Sequence, residues 1–119
     1  MATTNVGTPN KRGRDLELSG TGTNDDDVVI EHRVDRYETF QLQSTTGAMD
    51  VEVSTDEGAT FVGPLSLADL GAVTTTPVLV TAAARMYGFR GSYTHVRVSQ
   101  NAAAAVTGAI LRCARWGNN

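Results

Sequence analysis

Apolar and polar positions alternate along most of the chain from Val28 onward. In "MDVEVS" (49–54), Val51 and Val53 oppose Asp50, Glu52 and Ser54, and in "FQLQ" (40–43) Phe40 and Leu42 oppose Gln41 and Gln43. A period of two is that of a strand with one buried face. The same texture predicts strands over "VVIEHRV" (28–34), "YETFQLQ" (37–43), "MDVEVS" (49–54), "PVLVTA" (77–82), "YTHVRVSQ" (93–100) and "VTGAILRCARW" (106–116), with "ATFVGPLSL" (59–67) as a further strand. Within the last of these, "SLADLG" (66–71) could instead form one helical turn capped by Ser66. The alanines at 102–105 read as a hairpin loop leading into a strand. Short strands without a long amphipathic helix indicate an all-β protein, an antiparallel sandwich or barrel.

The first 27 residues have a different texture. "MATTNVGTPNKRGRDLELSGTGTNDDD" holds, besides Met1, only Val6, Leu16 and Leu18 as sizeable apolar side chains. A segment this polar is expected to lack a core of its own and to be ordered only by a neighbouring subunit. The sequence thus divides into an extended polar arm, 1–27, and a β-sandwich domain, 28–119. A body of this size with few aromatics gains from oligomerisation.

Composition narrows the function. The net charge is −3, with a single lysine, Lys11, against nine arginines and 13 acidic residues. An acidic whole makes nucleic acid an unlikely partner. No run approaches membrane-spanning length, and no apolar leader opens the chain, so no membrane role is expected. Cys113 is the one cysteine, which excludes an intrachain disulfide and a thiolate metal cluster and suggests a small buried hydrophobe. His32 and His95 stand in no catalytic signature, and "NDDD" (24–27) lacks the spaced ligands of a calcium loop. Catalytic residues, metal ligands and cofactors are therefore all expected to be none.

What remains is binding. In the strand from Tyr93, the residues Tyr93, His95 and Arg97 share one side, a composition enriched at protein interfaces and suited also to a shallow sugar platform. Glu52 or Glu38 are candidate cross-strand partners for that face. On the arm, Lys11, Arg12 and Arg14 form a small basic cluster able to touch an acidic partner. "STDEGATF" (54–61) resembles the Asp-box of sialidases and other β-propellers. One copy in a short chain is expected to be a local hairpin in which Asp56 accepts turn amides and Gly58 supplies positive φ.

The order "MDVEVSTDEG", "TFVGPLSLADL", "TPVLVT", "YGFRGSYTHVRVSQNAAAAVTGAILRC" looks like that of small β-sandwich virion proteins of tailed bacteriophages, capsid decoration (cement) proteins in particular. The resemblance covers about residues 37–114 and rests chiefly on the Y-G-F-R-G-x-Y-x-x-V-R-V run. It implies a jelly-roll-like sandwich, non-enzymatic, made in the host cytoplasm and resident in the virion. It further implies a homo-oligomer, a trimer above all, bound to the major capsid protein or another virion protein, with the arm clamping neighbouring capsomers. The competing reading is a carbohydrate- or host-surface-binding module of a tail or fibre using the same exposed face.

Overall fold

The computed structural model describes residues 6–12, 15–44, 46–71, 77–82 and 85–115. Among the described residues there are nine strands: β1 (Thr8–Arg12), β2 (Asp15–Gly22), β3 (Val28–Arg33), β4 (Thr39–Ser44), β5 (Met49–Ser54), β6 (Ala68–Asp69), β7 (Arg85–Arg90), β8 (His95–Gln100) and β9 (Val106–Ala114). They form two antiparallel sheets, one of six strands in the order β1-β2-β9-β4-β7-β6 and one of three in the order β3-β8-β5. The expected all-β antiparallel sandwich is the observed fold.

Alternation works as read. Phe40, Leu42, Tyr87, Phe89, Leu111 and Cys113 of the larger sheet face Ile30, Val51, Val53, Val96 and Val98 of the smaller one, all buried. Phe40 and Phe89 stack with centroids 4.9 Å apart at one end of the core. The alanines at 102–105 form the loop expected between β8 and β9.

The N-terminal segment departs from the expected arm. β2 lies inside the larger sheet between β1 and β9, with Leu16 opposite Cys113 and Leu18 opposite Leu111. Both leucines are buried, Leu18 completely. Two leucines suffice because β9 supplies an apolar partner for each and the polar residues between them face outward; averaging over 27 residues hid this short alternating run. Just before β1, Val6 exchanges backbone hydrogen bonds with Glu31 of β3 (2.7 and 3.0 Å), so the segment touches both sheets. At Gly20 the two sheets come close, since a Cβ there would sit 2.0 Å from the Val29 carbonyl oxygen. A boundary at residue 27 therefore cuts through the sandwich.

Two other expectations change. Residues 59–67 and 77–82 are not regular strands: they run irregularly along the open side of β5, with an isolated bridge between Leu67 and Val78. Val62, Leu65 and Thr81 bond in turn to Val53, Val51 and Met49. Gly63, Pro64 and Pro77 prevent a continuous ladder there. The turn considered at 66–71 contains β6, and β7, unanticipated, pairs along its whole length with β4.

These arrangements also blunt the edges of both sheets. β5 is covered by the loop, β3 is bridged by Val6, β6 is two residues long, and β1 carries Pro9 and Lys11. Proline, lysine and brevity are devices that discourage strand addition.

Candidate interaction site

The outer face of the smaller sheet is built around Arg97. Its register partners on either side are Glu31 and Glu52. The guanidinium donates to Glu52 through Nε (3.0 Å) and Nη2 (2.8 Å), and Glu31 lies 4.0 Å away. Above it, the ring of Phe61 sits 4.0 Å from the guanidinium carbon. Glu52 is thus the cross-strand partner read from the sequence, and Arg97 is a half-buried, doubly engaged centre rather than a free contact.

Phe61 reaches that position through the turn spelled by "STDEGATF". The Ser54 hydroxyl donates to Asp56 Oδ1 (2.7 Å) and accepts the amides of Asp56 and Gly58. Asp56 Oδ1 also accepts the Thr60 amide at 2.9 Å. The Ser54 hydroxyl and the Thr60 amide hold the Asp56 carboxyl below its ordinary pKa. Gly58 takes a φ of 83° and Glu57 one of 64°. The Asp-box residues thus make a local hairpin, as their chemistry requires.

That hairpin corrects one contact residue. His95 does lie on the outer side of β8, yet it is fully buried. The backbone at Gly58 rests on the imidazole, a Cβ there being 3.6 Å from the ring, and Glu57 of the same turn pairs with Arg33 of β3. His95 Nδ1 meets the Thr94 hydroxyl at 3.2 Å, whereas Nε2 has no hydrogen-bond partner. Burial, and secondarily Arg33, push its pKa down. The sequence showed which side of the strand His95 occupies but not the loop that folds over it.

Of the other anticipated residues, Tyr93 precedes β8 and is half-buried, its hydroxyl donating to the Arg90 carbonyl (3.1 Å) and its ring tilted against Phe40. Lys11 is exposed on β1 with Nζ 3.4 Å from the Tyr37 hydroxyl. Arg12 ends β1, and Arg14 falls outside the described residues. Lys11 lies on β1 of the larger sheet and Arg97 on β8 of the smaller one. In the "NDDD" run, Asp27 accepts the Thr23 and Asn24 amides, each at 3.0 Å, an N-terminal turn to β3. Cys113 is buried, which pushes its thiol up to about 12.

A second surface was not legible in the sequence. Where β3 turns to β4, β7 turns to β8 and β9 ends, an open cleft of about 600 Å³ lies at one end of the sandwich. Asp35, Arg36, Tyr37 and Glu38 form one wall, Ser92, Tyr93 and Thr94 another, and Thr55 and Arg115 complete it. The loops are tied to each other by backbone hydrogen bonds from Val34 to Thr94, Gly91 to Glu38, Glu38 to Ala114 and Thr94 to Ser54, of 2.8 to 3.0 Å.

No family model matches the chain, and no curated protein matches it in sequence. Among solved structures, the SPBc2 prophage-derived protein YomS superposes with a TM-score of 0.65 at 11% identity, over 91% of this chain and 96% of that one. What the two share is the fold. CENP-C of Drosophila melanogaster bound to CAL1 matches with a TM-score of 0.44 at 11% identity, over 89% of this chain and 69% of that one. Hydroquinone 1,2-dioxygenase from Sphingomonas sp. TTNP3 matches with a TM-score of 0.42 at 15% identity, over 91% and 63%.

Proposed function

We propose that this chain is a non-enzymatic structural protein of a phage particle, acting as a capsid decoration (cement) protein that bridges capsomers. The observation that carries the reading is the fold shared, over 91% of this chain, with a prophage-derived protein. A second point supports it: the chemistry-bearing side chains of the sheet face are paired or covered. Arg97 is engaged by two carboxylates and an aromatic ring, and His95 lies under a turn. Such a face presents shape and fixed charge rather than a reacting group.

In this reading the partner is the major capsid protein or another virion protein. Lys11, Arg12 and Arg14 contribute the basic contact, and Tyr93 and Arg97 contribute a second one. The protein associates as a homo-oligomer, a trimer first, and is repeated over a symmetric shell where avidity multiplies modest affinity. The test is location. Gold-labelled antibody against this protein should decorate the heads of purified particles in electron micrographs, and native mass spectrometry should give a trimer. Label confined to tails, or protein left wholly in the particle-free supernatant, refutes the decoration role.

A further inference from the structure

The cleft at the end of the sandwich holds charges that the fold itself leaves unused. Arg36 and Arg115 line it, and neither forms an ion pair or hydrogen bond with another described residue. Arg115 is half-buried and its Nε is shielded from solvent without a partner. A shielded guanidinium N–H with nothing to donate to is costly unless a ligand supplies the acceptor. The carboxylates of the same cleft are already occupied: Asp35 accepts Arg33 at 3.0 Å, and Glu38 accepts the Ser92 hydroxyl at 3.1 Å.

We propose that this cleft binds a carboxylated sugar, a hexuronate-type unit. Arg115, whose Nε lacks a partner, suits a carboxylate, which a planar guanidinium fork grips through paired hydrogen bonds, and Arg36 adds positive charge to the same lining. The remaining lining is that of a polyol site. Thr55 offers a hydroxyl, the Ser92 oxygen accepts while its proton is donated to Glu38 Oε2, and Glu38 Oε1, the oxygen not bonded to Ser92, accepts from a sugar hydroxyl. Tyr93 adds a half-buried aromatic ring to the lining, fixed by its own hydrogen bond to Arg90 and by contact with Phe40. A phosphate dianion is disfavoured by Asp35 and Glu38 in the same walls, and an apolar ligand by the polarity of the lining. The backbone bonds that tie the loops together hold the walls in place before any ligand arrives, which lowers the ordering cost of binding. This assignment does not depend on which particle, if any, carries the protein.

The experiment is titration of isotopically labelled protein, followed by amide chemical shifts, with sodium glucuronate, sodium galacturonate, glucose and sodium acetate in turn. A uronate is expected to saturate with a Kd on the order of 1 mM, moving the amides of residues 35–38 and 92–94, and to bind at least about tenfold more tightly than glucose or acetate. Arg115→Gln and Arg36→Gln, each checked for an unchanged spectrum elsewhere, should weaken the uronate about tenfold or more and leave glucose unchanged, tenfold being ~1.4 kcal/mol. Should a variant fail to fold, the wild-type shift map decides alone. Equal shifts with acetate, equal affinity for glucose, no response at roughly 10 mM uronate, or shifts confined to other surfaces would each overturn the assignment.

Discussion

Truncating Leu18 to alanine tests whether the N-terminal segment is core or appendage. Leu18 has no exposed surface and lies in register with Leu111 of β9. The substitution removes three carbons, worth about 2.4 kcal/mol at ~0.8 kcal/mol each. The residual cavity between the closely packed sheets adds to this, for a total of about 3 kcal/mol. In a domain of ordinary stability that is a large fraction, and it lowers the melting midpoint by roughly 10 °C. The assay is urea unfolding followed by circular dichroism, with Asn10→Ala on the exposed side of β1 as the control, expected to change stability by less than about 0.5 kcal/mol. A companion deletion of residues 1–26 removes β1 and β2 and should yield an unfolded or aggregated product. A loss below about 1 kcal/mol for Leu18→Ala, or a truncated protein that melts cooperatively near the parent, would sink the claim that β2 is part of the core.

Arg97→Ala should cost about 1 kcal/mol, since the ion pair and the ring contact are partly solvated, and Arg97→Lys should restore little of it because lysine keeps the charge without the fork; a thermal melt of both variants decides. Acidification should weaken the fold in two windows. His95 has a folded pKa below its ordinary 6.5, so the folded state resists protonation and stability falls as pH drops below about 6.5, a slope that His95→Gln should flatten. Asp27 and Asp56 have folded pKa values below the usual 3.8, so their stabilisation is present above that pH and disappears as pH falls through the lowered values; an unfolding midpoint that stays level down to pH of about 3 contradicts this. Cys113, buried and with its thiol pushed up to about 12, should react with a thiol reagent at pH of about 8 only as fast as the protein opens, and immediate labelling of the native protein would refute its burial.

Much of the fold was legible wherever one strand face met the core. The alternations in 28–34, 40–43, 49–54 and 106–114 each became strands because period two aligns a whole apolar set with one side of a sheet. β2 was obscured because its two leucines sit in a polar background, and the decisive fact, the Leu111–Cys113 run that pairs with them, lies about 95 residues away in sequence. β7 was hidden because "RMYGFR" carries a glycine in mid-strand, normally a sign of interruption, although Gly88 leaves room for the side chain of Leu70. The site was legible in part. The Glu52 partner of Arg97 follows from facing positions, and the Asp56 turn from its local chemistry. The burial of His95 and the cleft around Arg36 and Arg115 depend on how separate loops meet, and no spacing along the chain encodes that.

The pairing of β2 with β9 ties the opening stretch of the chain to its last strand. During synthesis, residues 16–22 must wait until residues 106–113 have left the ribosome before they gain their inner neighbour. Until then the two leucines and the donors of β2 have only β1 beside them, and the nascent polypeptide carries half of a hydrophobic seam in the open. Such a molecule closes its larger sheet only once β9 has been made, slowly for its size, and is most vulnerable to sticking to its siblings in that interval.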